Sequence, residues 1–316
     1  MNQPFIKYNI LFLLILSMTV FAEEQKNSPT QFLIVLGIAQ DAGFPQAGCK
    51  KSCCAAVWQQ PGLRKMVASI GIVDEAAGKS WLIEATPDLR FQMRNLQSNS
   101  PALDSEIPDG IFLTHAHIGH YTGLMYLGRE SMGAKHVPVF AMPQMTDFLQ
   151  LNGPWKLLVE LENIRLMPIA EDSVITLSEH LTIQPIRVPH RDEFSETVAF
   201  RINGREKSAL FIPDIDKWNQ WNHNIINEIS KVDVAFLDGT FFENGEIPGR
   251  DMSEIPHPFI SESMALFDSL PESERAKIVF IHFNHTNPVM QPDSDARKLV
   301  IDKGYKIAEE GMRIQF

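Results

Sequence analysis

Cysteine is nearly missing from this 316-residue chain: there are three, Cys49, Cys53 and Cys54, all in the stretch GCKKSCC. A scaffold stapled by many disulfides is therefore excluded. Two of the three could pair and leave one thiol over, or the cluster could be a small zinc knot, which suits thiolates. A knot of three is one ligand short of a closed site, so a fourth would come from elsewhere. Structural metal and disulfide both stay open on spacing alone. Long apolar runs are scarce too. One, Ile10 to Phe21, is about a dozen residues, short of the roughly 20 that a helical membrane span needs. With Lys7 before it and Val20-Phe21-Ala22 at its end, residues 1–22 read as a signal peptide. Residues 23–316 then form a single domain, periplasmic or secreted, with no stable membrane insertion after cleavage. No twin arginine and no cysteine at the cut site point to other export routes.

Basic residues are outnumbered, 28 Lys and Arg against 39 Asp and Glu, a net charge of −11. Removing the leader removes Lys7 and takes the mature chain to about −12. Such a surface repels phosphate backbones, so nucleic acid is not an expected partner and a small-molecule substrate is. No G-x-S-x-G or P-loop occurs, and Cys53-Cys54 has no identifiable base beside it. Internal repeats, low-complexity tracts and long linkers are absent as well.

What is present is a succession of short strand signals. FLIVLGI (32–38), VASIGIV (67–73), SWLIEA (80–85), GIFLTH (110–115) and VPVFA (137–141) occupy the first half, with the cysteines in a long loop after the first. LTIQPIRVPH (181–190), VDVAFLDG and AKIVFIHF follow in the second. ETVAFRINGREKSALFIPD reads as a hairpin with Asn203-Gly204 as a two-residue turn. Helical patterns lie between them. One leaves the loop after His120 through Leu124, Leu127 and Met132, others are MTDFLQLN, NQWNHNIINEIS and FISESMALFDSL, and a helix-strand pair closes the chain. Residues 23–31 are polar and read as a flexible lead-in. The mixture fits a layered α/β or α+β fold.

The strands end repeatedly in metal-capable residues. His115 and His117 are two apart in extended chain and can face one ion, and His120 can swing toward the same cavity from the following helix. His190 ends VPH, Asp214 follows ALFIP, and His282 and His285 sit in VFIHFNHTNP. Packing does not readily explain four strand ends of this kind. His136, His180 and His223 stand apart and read as ordinary core or surface residues.

With these motifs in order along the chain, the sequence resembles the metallo-β-lactamase superfamily of metallohydrolases. Within that superfamily it is similar to the pyrroloquinoline quinone biosynthesis protein B group. VLGIAQDAGFPQAGC, FLDGTFF and IHFNHTNP carry the second likeness, although C-x3-C-C here differs from a C-x-C-x2-C spacing. The resemblance implies an α+β, four-layer αββα sandwich with its metal site along one edge of the sheets. It implies His115, His117 and His190 on a first metal, His120 on a second, Asp214 bridging them, and His282 or else His285 as the last ligand. Glu84 would orient a ligand histidine, and His257 would stand beside the scissile group. Gly119 replaces an aspartate that the pattern uses on the second metal, so that position is expected to be weak or empty. Zinc, one ion or two, would supply hydroxide at neutral pH and stabilise developing charge; the same donors can hold iron. The leading expectation is a metal-dependent hydrolase of a small ester, lactone or phosphodiester, with Asp214 and His257 catalytic. An iron-dependent oxygenase-like enzyme and a non-catalytic binding protein are the alternatives. The sequence carries no signal for oligomeric state.

Overall fold

The computed structural model describes Met1 and residues 31–316. Apart from Met1, the expected leader lies outside the described residues, as does the lead-in up to residue 30. The first six strands are β1 (Gln31–Gly37), β2 (Ser69–Asp74), β3 (Lys79–Ile83), β4 (Gly110–Phe112), β5 (Val137–Ala141) and β6 (Ile164–Pro168). The next seven are β7 (Ile175–Ser178), β8 (Leu181–Arg187), β9 (Val198–Asn203), β10 (Ser208–Ile212), β11 (Val234–Asp238), β12 (Ile278–Ile281) and β13 (Lys306–Ile307). A last strand, β14 (Arg313–Gln315), returns to pair with β1. The strands form two seven-stranded sheets, ordered β14-β1-β2-β3-β4-β5-β6 and β13-β12-β11-β10-β9-β8-β7.

Alternation along each strand decides which layer a side chain joins. In β1, Leu33 and Val35 enter the core between the sheets, while Phe32, Ile34 and Leu36 face the helices outside the first sheet. Trp81 and Ile83 against Leu82, and Phe112 against Ile111 and Leu113, divide the same way. Both faces are thus covered, which is why these segments read as continuous apolar runs. Helices Leu89–Asn99 and Pro143–Leu151 cover the first sheet through Leu89, Met93, Leu96, Met145 and Leu149. Helices Ile225–Ser230, Ile260–Phe267 and Asp295–Asp302 pack on the second through Ile225, Ile260, Met264, Phe267 and Val300. The result is the four-layer αββα sandwich. Phe112 closes β4 fully buried, stacked on Phe140 at 4.3 Å and edge-on to Phe200 at 5.6 Å. Truncating such a ring costs about 3–5 kcal/mol, so the point from which the histidine loop leaves is firmly held.

Strand direction puts the site at one edge. β1 and β3 both run antiparallel to β2, and β4 runs parallel to β3, so β1, β3 and β4 point the same way. In the second sheet β8 and β10 flank antiparallel β9, and β11 and β12 continue parallel to β10. All seven strands that lead into candidate residues therefore deliver them from their C-terminal ends, and the two sets of ends meet.

Several local expectations change. After His120 there is one helical turn, Ile118–Tyr121, then a 3-10 helix, Thr122–Leu127; Met132 lies beyond it, exposed. Residues three apart eclipse in a 3-10 helix, so Leu124 and Leu127 still reach the core. Asn203 belongs to β9, paired with Ser208, so the hairpin loop is residues 204–207 and not a two-residue turn. The cysteine loop contains a helix, Ser52–Gln59, because Cys54 and Val57 bury together with Ala39 and Phe44. Gln31 starts β1 rather than ending a lead-in, and its amide donates to Asp74 at 2.8 Å.

Candidate metal centre

Beyond β4 the chain brings His115 and His117 opposite His190, from beyond β8, and Asp214, from beyond β10. One ligand atom from each of these four lies within 4.8 Å of the others. Each imidazole is held by its far nitrogen. His115 donates from Nδ1 to Thr114 Oγ1 at 2.8 Å, and that hydroxyl donates to Glu84 Oε1 at 2.6 Å. His190 donates from Nδ1 to Asp216 Oδ1 at 3.0 Å, and His117 from Nε2 to Glu193 Oε2 at 3.3 Å. The other nitrogen of each ring is thereby left as a lone pair facing inward. His115 Nε2 and His117 Nδ1 stand only 2.8 Å apart, and Asp214 lies 3.5 Å from His115 and 3.2 Å from His190. Bonds of 2.0–2.1 Å to a tetrahedral ion give ligand–ligand edges of about 3.3 Å, so the set is close to the size of one metal.

A second group adjoins the first. His120 and His282 meet Asp41, which comes from the turn after β1. His120 Nδ1 donates to Glu84 Oε1 at 3.1 Å, and His282 Nδ1 and Thr240 Oγ1 share a hydrogen bond at 3.1 Å, so both Nε2 atoms face Asp41 Oδ1, at 3.2 and 3.6 Å. Asp214 Oδ2 is 3.8 Å from His120 Nε2 and 3.5 Å from His115 Nε2, which sets its carboxylate between the two groups. Glu84, at φ +82°, and His282, at φ +66°, adopt backbone that non-glycine residues rarely take.

Buried polar atoms are normally satisfied. Here Asp41 Oδ1, His120 Nε2, His190 Nε2, Asp214 Oδ1 and His282 Nε2 are buried without a hydrogen-bond partner among the described residues. Their convergence fits bound cations. Burial, with His120 beside it, pushes the His115 pKa well below the usual imidazole range, and burial also lowers that of His117. Both are then neutral, as a ligand must be. Burial works against charge on Asp214, but His190 and His257 overcome it and hold the carboxylate ionised. A cavity of about 1010 Å³ lined by Asp74, His180, Arg205 and Arg313 contains none of these donors; convergent ligand atoms, not void volume, locate the site.

His257 lies against Asp214 Oδ1 at 3.1 Å and donates from Nδ1 to Asp238 Oδ2 at 2.9 Å. Burial disfavours its charged form, yet Asp238 and Asp214 push its pKa up to about 9.

His285 is not at this centre, contrary to the rivalry with His282 drawn from sequence. The left-handed turn at His282 and the pairing of Phe283 with Ile38 and Gln40 send the next residues another way. His285 Nδ1 lies 3.5 Å from both Cys53 Sγ and Cys54 Sγ; Cys49 and Cys53 are 3.8 Å apart, and Cys53 and Cys54 4.0 Å. Zn–S and Zn–N bonds of 2.3 and 2.0–2.1 Å give tetrahedral edges of about 3.8 Å for S–S and 3.5 Å for S–N. All three thiols are free, and 3.8 Å is far beyond the roughly 2.05 Å of a disulfide. His285 stands where the fourth ligand of such a knot would be.

Residues 80–283 match the family model for the beta-lactamase superfamily domain. The chain belongs to this superfamily. Coenzyme PQQ synthesis protein B of Gluconobacter oxydans is 27% identical over 305 residues, covering 89% of this chain and 97% of that protein. The same protein of Klebsiella pneumoniae is 27% identical over 310 residues, covering 90% and 97%. Zinc-bound PqqB from Methylobacterium extorquens superimposes with a TM-score of 0.74 at 22% identity, covering 90% of this chain and all of that one. A diphosphatase of the PhnP family gives 0.62 at 21% identity, covering 90% and 97%. Over nearly its whole length, then, the chain is similar to the PqqB proteins.

For a member of the superfamily, the sequence pattern carries most of the candidate donors and one support, Glu84, but not Thr114, Glu193, Asp216, Asp238 and Thr240. Asp238 ends β11, and Asp216 and Thr240 follow a strand end by a few residues; PDID and FLDGT held that signal. Asp41, in AQDAG, had the same signal after β1. His136 and His180 are exposed, and His223 stacks on Trp221 away from the centre.

Proposed function

We propose that the protein is a metal-dependent hydrolase of a small anionic ester, a phosphodiester before a neutral ester or lactone. The carrying observation is the convergence of His115, His117, His190 and Asp214, each ring locked by its far nitrogen. A zinc ion held there would bring the pKa of water toward neutral and polarise a substrate oxygen. The chain's own residues supply the rest. Thr114, Glu193 and Asp216 fix the rings so that no reorganisation is needed as charge develops. His257, kept protonated by Asp238, gives its proton to the departing oxygen as water adds to the ester centre and the bond to the leaving group breaks. Arg191 is exposed, and its guanidinium stands close enough to His117 and His257 to disfavour protonation of both; on so acidic a chain, a cation at the mouth favours an anionic substrate. The cysteine knot with His285 is proposed to hold a structural zinc.

The test compares wild-type protein and His115→Ala for bound metal and for hydrolysis of a chromogenic phosphodiester such as bis(p-nitrophenyl) phosphate. Loss of an active-site ion with a drop in rate on the order of 1,000-fold is expected. Unchanged metal and rate would overturn the reading, as would native iron with oxygen consumption and no hydrolysis.

A further inference from the structure

We propose that Asp41 is the carboxylate ligand of a second active-site metal, doing from the first sheet's opening strand what residue 119 does in the superfamily pattern. The inference rests on the metal reading above and deepens it.

Space at Gly119 is the first observation. A Cβ built there would meet Asp41 Oδ1 at 2.4 Å, Asp41 Cα at 2.6 Å and Asp41 Cγ at 2.7 Å. Gly119 is not among the residues with positive φ, so glycine is required for room and not for backbone freedom. What fills the room is a carboxylate. The position of the absent side chain and the position of Asp41 are the same volume.

The donors are the second. The distances from Asp41 Oδ1 to His120 Nε2 and His282 Nε2, 3.2 and 3.6 Å, bracket the edge of about 3.3 Å expected for nitrogen and oxygen ligands on one tetrahedral zinc. All three atoms are buried, and none has a hydrogen-bond partner among the described residues. A metal-free alternative makes His120 a cation paired with Asp41 and Glu84. That pairing leaves His282 Nε2 unsatisfied, because Asp41 Oδ1, at 3.6 Å, lies beyond hydrogen-bond reach. A cation among the three atoms satisfies all of them, with Asp214 closing the set on its near side.

The turn that carries Asp41 is the third, because it is tied to both sheets. Ile38 and Ala39 N–H groups both donate to Met66 O, each at 2.9 Å, and Gln40 N donates to Phe283 O at 2.8 Å. Asn284 Nδ2 holds the Gln40 side chain at 2.5 Å. Phe283 follows His282 directly, so the residue before Asp41 and the residue after His282 are bonded to one another. That couples the spacing of carboxylate and imidazole.

Zinc per chain, counted by mass spectrometry after dialysis against a weak chelator, is the deciding measurement. The wild-type protein should hold three: two in the active site and one on the cysteines. Asp41→Ala should hold two, with the third bound on the order of 100-fold more weakly. Asp41→Asn, which keeps the side chain's volume and so its packing, serves if the alanine variant fails to fold. The exchange Asp41→Gly with Gly119→Asp should return the count to three, and cobalt substitution should show the second ion's absorption band lost in Asp41→Ala and recovered in the exchange. Two active-site ions bound equally well with and without the Asp41 carboxylate would overturn the assignment. So would one active-site ion in the wild type, while leaving the hydrolase reading intact. An active site holding no ion would overturn both.

Discussion

Gly119→Ala adds one methyl group to the chain, and its cost can be worked from three distances. The new carbon would lie 2.4, 2.6 and 2.7 Å from Oδ1, Cα and Cγ of Asp41. Rotating the Asp41 side chain relieves two of these contacts but not the one to Cα. Backbone must therefore move by most of an ångström. The turn is bonded at Ile38, Ala39 and Gln40, and Gly43 N closes it on Gln40 O at 2.8 Å, so it cannot drift outward freely. Overpacking of this kind costs about 1–3 kcal/mol, and backbone involvement places this case in the upper half. Urea unfolding of chelator-treated protein measures the cost with metal out of the balance. The same titration on Asp41→Gly and on the double variant closes a cycle. Removing Oδ1 and Cγ should recover part of the loss, giving a coupling of about 1–2 kcal/mol between positions 119 and 41. A Gly119→Ala variant within about 0.5 kcal/mol of wild type, or strictly additive costs, would show that the carboxylate does not occupy the space beside residue 119.

Further outcomes follow from other parts of the molecule. Cys54→Ser should release zinc from the knot and cost on the order of several kcal/mol in stability; adding a chelator should destabilise the wild type more than the variant. His257→Gln should lower kcat by about 100- to 10,000-fold at unchanged zinc content, and a loss of zinc instead would make it a ligand and not a proton donor. Burial pushes the Glu246 carboxyl up from 4.5 to about 7, despite hydrogen bonds from Thr286 Oγ1 and Phe242 N. Between these values the folded chain keeps a proton that the unfolded chain has lost, so stability falls as pH rises through that window. Glu246→Gln should remove this fall, which amounts to on the order of 3 kcal/mol across the window, and an unchanged pH profile would remove Glu246 from the account.

Much of the fold was legible because its strands are buried on both faces, which writes them as unbroken apolar runs. FLIVLGI and GIFLTH fall within two or three residues of β1 and β4. The histidines were legible for a related reason: a polar residue directly after such a run has left the core at a strand end. Supporting residues were harder to read, because Asp216, Asp238 and Asp41 look the same in sequence as loop aspartates that face water. Gly119 is harder to read for a deeper reason. Sequence shows the missing side chain at 119 but not that Asp41, from the turn after β1, lies in the space beside it. The cysteine cluster is open in sequence for a similar reason, since the imidazole beside it, His285, lies 232 residues from Cys53. Register within the Asn203–Ser208 hairpin depended on pairing across to β8, which local turn chemistry does not report.

The tie between the Asp41 turn and the His282 loop bears on when metal can be acquired. One partner is among the first strands synthesised, and the other is among the last. A nascent chain that has passed β10 but not reached β12 has His115, His117, His190, Asp214 and the Asp41 turn, but lacks the His282 loop to which that turn is tied. It also has three cysteines without their imidazole. Loop closure over such separations is slow compared with local structure. Binding at the Asp41 and cysteine sites would therefore follow folding instead of guiding it, and a full complement of ions would report that these distant segments have met.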